Sequence, residues 1–222
     1  MTPPGGGPSP ARSAARWAWL AVTAIVAFAI LALVVNGQGA VWFDQPVIAF
    51  VKGLPISIDT WTTITAAGGA ILVPIGVLLV IALLALHRPR LALIYGVTLA
   101  AASAWTYIVK ITIARERPPG SLVVAPGFSF PSGHSLNSTV TYGLIALLIW
   151  RTRWPAWLRI VLAMALAVLI GLIGLSRIAL EAHYPSDVLG GWLAGIAIVA
   201  TVATFTQPDP DLAPDEPPAG RA

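Results

Sequence analysis

Eight residues between positions 110 and 187 have types suited to one chemistry: Lys110, Arg117, Ser132, Gly133, His134, Arg177, His183 and Asp187. Lysine offers a compact positive charge and each arginine a planar fork that grips two oxygens, so the three together suit an anion such as a phosphoryl group. Pro131-Ser132-Gly133-His134 stands at the start of an apolar run. A helix beginning there aims unpaired backbone N–H groups at an anion, the Ser132 hydroxyl adds a donor, and Gly133 lets the backbone come close. Asp187 follows His183 by four residues, and Pro185 suits a first helical turn, so the carboxylate can fix the tautomer of the imidazole. The far ring nitrogen is then free to attack phosphorus and form a phosphohistidine. His134 can protonate the departing oxygen and later take a proton from water. One histidine must then be neutral and the other protonated, which predicts a bell-shaped pH–rate profile.

These residues can meet only if the chain brings them to one place, and its composition says how. Hydrophobic residues make up 57% of the sequence and charged residues 10%, against roughly 45–50% and about 25% in soluble domains. So few charges argue against a nucleic-acid binder, and the absence of cysteine excludes disulfides, thiolate nucleophiles and cysteine metal sites. Six runs free of charge are long enough to cross a bilayer or nearly so: 17–35, 62–86, 91–109, 135–150, 160–176 and 188–206. Backbone groups in hydrocarbon must bond internally, so the expected fold class is all-α, a polytopic membrane protein with six transmembrane helices. Between the first two, 36–61 is too broken to span, and Trp42, Phe43, Val47, Phe50 and Val51 predict a short helix in the headgroup layer.

Basic residues orient the chain. Arg12, Arg16, Arg88, Arg90, Arg151, Arg153 and Arg159 fall on one face, which is then cytoplasmic, with both termini inside. Lys110, at the end of the third run, then shares the outer face with His134, Arg177, His183 and Asp187. The 17–35 run behind two arginines also fits a secretory signal, but it exceeds the usual 7–15 apolar residues of one, so a retained helix is expected. Residues 1–16 and 207–222, rich in proline and glycine or in proline and acid, are expected as disordered cytoplasmic tails around a membrane domain at 17–206.

Lys110-(six residues)-Arg117-Pro118, then Pro131-Ser132-Gly133-His134, then Ser176-Arg177-(five residues)-His183-(three residues)-Asp187 resembles the tripartite signature of the type 2 phosphatidic acid phosphatase superfamily. The resemblance implies a metal-independent phosphatase of the bacterial cell membrane, with no cofactor and a site on the extracytoplasmic side. It implies that Lys110, Arg117, Ser132, Gly133 and Arg177 hold phosphate, that His183 is the nucleophile oriented by Asp187, and that His134 is the acid. The substrates implied are membrane lipids: isoprenoid diphosphates, phosphatidylglycerophosphate or phosphatidate. Glu181 departs from the glycine carried by many members, which bears on headgroup preference.

Duller readings apply to some residues. Arg115 and Glu116 read as an interfacial ion pair, His87 as an interfacial residue and the tryptophans as membrane anchors. Gly190, Gly191 and Gly195 read as a surface for close helix packing within the bundle. A metal site is disfavoured, because Glu116, Glu181 and Asp187 lie among cations without a paired arrangement. Two other functions fit the same residues: a lipid phosphotransferase that passes the phosphoryl group to an alcohol or sugar, and a non-catalytic lipid transporter. Headgroup, tail and oligomeric state are not written in the sequence.

Overall fold

The computed structural model describes residues 10–37 and 39–206. Most of the two tails expected at 1–16 and 207–222 lies outside these residues, although 10–16 are already helical. Among the described residues eight helices follow one another: α1 (Pro10–Val35), α2 (Asp44–Lys52), α3 (Ile58–Ala66), α4 (Leu72–Ala85), α5 (Pro89–Ile113), α6 (Gly133–Trp150), α7 (Ala156–Ala179) and α8 (Pro185–Phe205). Among the described residues there is no strand. Helices α1, α5, α7 and α8 are long and apolar enough to cross a membrane, and α4 is a shorter apolar helix.

The run at 62–86 does not form the single helix that its hydropathy suggests. It breaks between Ala66 and Leu72, giving α3 and α4. Two glycines, Gly68 and Gly69, weaken the helix there, and Pro74 in the first turn of α4 has no N–H to bond back into α3. Packing needs these glycines as well. A Cβ on Gly68 would lie 2.3 Å from Ile173 Cγ2, and one on Gly69 would lie 3.1 Å from His134 Nε2. The break leaves space for the imidazole.

Helices α6 and α8 form the centre, with α1 along α8 and α7 beside α6. Leu136, Val140 and Leu144 recur at i, i+4 and i+8 on α6 and are fully buried against Ala194 and Val202 of α8. Lipid is as apolar as leucine, so close packing holds such helices together more than exclusion of water. The glycines of α8 permit the approach. A Cβ on Gly190 would meet Phe130 Cε2 at 2.5 Å, one on Gly191 the Ser132 oxygen at 2.7 Å, and one on Gly195 Thr139 Cβ at 2.5 Å.

Candidate active site

The C-terminal ends of α5 and α7 and the N-terminal ends of α6 and α8 carry the candidate residues, each placed by local structure. Ser132 is the N-cap of α6, accepting from the Ser135 N–H at 3.4 Å and from the Ser135 hydroxyl at 3.0 Å, so its own hydroxyl proton is left to donate elsewhere. Gly133 and His134 open that helix, whose first N–H groups have no partner within it. Tyr184 is the N-cap of α8 with Pro185 in its first turn, and the Tyr184 N–H donates to Asp187 Oδ2 at 2.8 Å. Cap and candidate carboxylate are therefore one unit.

His183 is buried between these ends. Its Nδ1 lies 3.5 Å from Asp187 Oδ2 and 3.4 Å from the Ser129 hydroxyl, which also donates a short bond to Asp187 Oδ2. Its Nε2 lies 3.1 Å from Arg117 Nη1. Nδ1 thus faces the carboxylate, and the Nε2 lone pair faces a cation. Burial pushes the His183 imidazole down to about 4, with the Asp187 carboxylate opposing the fall and Lys110 and Arg117 adding to it. The neutral form, with its lone pair, is favoured.

Arg117 is anchored as well as aimed. Its guanidinium donates to the carbonyls of Gly127 at 2.9 Å, Ala182 at 2.6 Å, Pro126 at 3.1 Å and Phe128 at 3.2 Å. Burial lowers its affinity for the proton, and Asp187 opposes the change. Lys110 Nζ donates to the carbonyls of Phe128 and Ser129, so both cations brace the loop that leads into Ser132. Arg177 is buried and donates from Nη1 to Thr65 Oγ1 at 2.8 Å, while its Nε has no partner in the protein. An unsatisfied buried donor on a guanidinium is an invitation to an anion. His134 stands within electrostatic reach of Arg177, His183, Arg117 and Lys110.

A groove of about 720 Å³ opens beside His134. It is walled by Gly68 and Gly69 at the helix break, Gly133 at the start of α6, and Val80 and Gly96 deeper in α4 and α5. From Leu72 to Val80 it follows α4 for about 12 Å. Its walls are mostly apolar, with His134, Ser103, Asn137 and Thr141 as the polar side chains among them.

Sequence reasoning missed four participants. Arg115 does not act as an interfacial partner of Glu116: it is fully buried and pairs with Asp187 Oδ1 at 2.6 Å and Asp44 Oδ2 at 3.1 Å. Asp44, Ser129 and Thr65 carry no motif that marks them in the sequence. Asp44 carried only the weak signal of an acid in a first helical turn, which is ordinarily favourable on its own. Glu181 has φ +52°, the left-handed region where glycine is unstrained, and its carboxylate pairs with Lys52 at 2.8 Å. That conformation explains why glycine suits the position.

Together the fold and this cluster define a helical integral membrane protein with a buried, cation-lined mouth and two histidines. The model of the PAP2 superfamily matches residues 91–210, and the chain belongs to that family. It is 34% identical over 102 residues to phosphatidylglycerophosphatase B of Bacillus subtilis (strain 168), covering 45% of this chain and 50% of that protein. Over 68 residues it is 37% identical to undecaprenyl-diphosphatase of Sulfolobus acidocaldarius, covering 31% of this chain and 29% of that protein. Over 97 residues it is 32% identical to glucose-6-phosphatase 3 of Mus musculus, covering 41% and 27%. The chain thus spans half the length, or less, of these curated relatives, all of them named as phosphatases. The crystal structure of the transmembrane PAP2 type phosphatidylglycerolphosphate phosphatase from Bacillus subtilis superposes with a TM-score of 0.73 at 26% identity, covering 84% of this chain and 96% of that one.

Proposed function

We propose that this protein hydrolyses a lipid phosphate or diphosphate without a metal, through a phosphohistidine on His183. One observation carries the reading: His183 Nε2 faces Arg117 at 3.1 Å, while Lys110, Arg177 and the N-terminus of α6 converge from other segments. The phosphoryl oxygens take the N–H groups of Arg117, Lys110, Arg177, Ser132 and the start of α6. Arg117 then gives up its bond to Nε2, freeing the lone pair. Nε2 attacks phosphorus as the bond to the lipid oxygen breaks, and His134 delivers a proton to that oxygen. In the second half His134 takes a proton from water, the water oxygen attacks phosphorus, and the P–N bond breaks to release phosphate. Charge stabilisation by the cations supplies most of the acceleration.

The groove beside His134 supports a lipid as the leaving group, because the departing oxygen must face the acid and its tail needs an apolar channel. Isoprenoid diphosphates, phosphatidylglycerophosphate and phosphatidate all satisfy this chemistry. The same reading has six membrane crossings, with the broken α3–α4 pair and α6 joining the four long helices. It sets the site on the extracytoplasmic side of a bacterial inner membrane and both termini in the cytoplasm, in line with the arginines at 88, 90, 151, 153 and 159.

Phosphate release in detergent from undecaprenyl diphosphate, phosphatidylglycerophosphate, phosphatidate and a soluble phosphomonoester tests the reading. The expected result is turnover of a lipid in excess chelator, inhibition by vanadate and loss on His183→Ala. Full turnover by His183→Ala, or a strong preference for the soluble ester, refutes it. Transfer to an added alcohol in place of water would mark a phosphotransferase.

A further inference from the structure

One buried, many-bonded side chain beside the site belongs to none of the groups that meet phosphate. Arg115 follows Ala114, whose left-handed backbone (φ +49°) ends α5 and turns the chain inward. Its guanidinium is wholly buried. Nη1 donates to Asp187 Oδ1 at 2.6 Å and to the Ser186 hydroxyl at 2.8 Å. Nη2 donates to the Gly39 carbonyl at 2.6 Å and to Asp44 Oδ2 at 3.1 Å. The Tyr184 ring lies against its face, 4.4 Å away.

Asp44 is equally closed in. At the start of α2, its carboxylate accepts from the Val41 and Ser186 N–H groups at 2.9 and 2.8 Å and from the Ser186 hydroxyl at 2.9 Å. A buried chain of carboxylate, guanidinium and carboxylate therefore runs from the segment after α1 to the imidazole. Stability alone is a weak reason for such a chain, since apolar residues of similar volume often replace buried ion pairs without loss. Its far end supplies a better one. Asp187 divides its oxygens, Oδ1 held by Arg115 and Oδ2 turned to Ser129, the Tyr184 N–H and His183. Rotation of the carboxylate would take Oδ2 away from Nδ1, and it would have to break the bond from Arg115 to Oδ1 as well as those from Tyr184 and Ser129 to Oδ2.

We propose that Arg115, locked by Asp44, is the positioning residue of the site: it fixes the plane and charge of Asp187 and so sets the tautomer and direction of His183. The interfacial helix α2 thereby becomes a working part of the catalytic end. The proposal rests on the reading of His183 as nucleophile. The charged and titratable groups facing Asp187 and His183 are Lys110 from α5, Arg115 and Arg117 from the segment after it, His134 from α6, and Tyr184 beside α8. Of these, Arg115 is the cation in contact with Asp187.

Two variants test it. Arg115→Lys keeps the charge but cannot bridge both carboxylates, and Asp44→Asn keeps the shape but turns one acceptor into a donor among donors. Phosphate release from the preferred lipid, a pH profile, vanadate inhibition and thermal unfolding are measured on both and on the wild type. The expected result is kcat lower by about tenfold or more with KM little changed, vanadate still bound, and the acid limb of kcat/KM moved, up in Arg115→Lys as Asp187 loses its close cation and down in Asp44→Asn as the positive charge of Arg115 goes uncompensated. Wild-type kcat and pH profile in both variants overturn the proposal and leave the phosphatase reading standing. Activity lost only in proportion to the unfolded fraction, with an unmoved profile, overturns it too. A wild-type protein that releases no phosphate sinks both.

Discussion

Gly191→Ala isolates the geometry on which the site depends. Gly191 lies on α8, one turn beyond Asp187, and its missing side chain lets the start of α6 approach. A Cβ there would stand 2.7 Å from the Ser132 oxygen, 2.8 Å from Ser135 Cβ and 3.0 Å from Leu136 N, whereas ordinary contact begins at 3.4 Å. Backbone atoms cannot rotate aside, so α6 must retreat from α8 by about 0.7 Å, or the strain must spread into both helices. The retreat separates Ser132, Gly133 and His134 from His183 and Asp187. A misplacement of about 1 Å can cost about a hundredfold in rate, so kcat should fall by about tenfold or more, and overpacking should cost about 1–3 kcal/mol of stability. The assay is initial-rate phosphate release in detergent beside thermal unfolding. Gly171→Ala, whose Cβ meets nothing within 4 Å, serves as the control and should keep its activity. Wild-type kcat and stability in Gly191→Ala would refute the argument.

Other consequences can be checked directly. His183 is held at about 4 by burial, below its ordinary 6.5, so its neutral form persists through neutral pH and the acid limb of kcat/KM should lie well below 6.5. Stability has the same sign, decreasing as pH falls below 6.5, because the unfolded chain binds that proton more readily; an acid limb at 6.5 would contradict the assignment. Ser129→Ala removes the hydroxyl between Asp187 and Nδ1 and should lower kcat by about tenfold while vanadate inhibition survives, measured as kcat and inhibition constant. Glu181→Gly should change the unfolding temperature little, since relief of a left-handed conformation, about 1–2 kcal/mol, offsets the flexibility of glycine, about 1 kcal/mol. A large drop in that temperature would show that the Lys52 pair matters more than the backbone.

The helices and the signature could be read early because both rest on local rules. Charge-free length marked the runs, and spacing set Lys110, His134, Arg177 and His183 at helix ends. The break at Gly68 and Gly69 escaped because hydropathy does not register that a side chain there would collide with Ile173 and His134. Arg115 and Asp44 escaped for a different reason. Seventy-one positions separate them, and each has an ordinary local explanation, an interfacial cation and an acid near a helix start, until the fold buries them together. Glu181 stood out only against the glycine of similar chains, and its positive φ supplies the cause.

The central claim is that the imidazole of His183 attacks through Nε2 while Nδ1 faces Asp187. Rapid quenching during turnover of a labelled lipid phosphate, followed by peptide mapping and identification of the modified nitrogen, tests it most directly. The expected product is a base-stable phosphoryl group on Nε2 of His183. A phosphoryl group on Nδ1, on His134 or on Ser129, or release of phosphate with no covalent intermediate, would contradict it.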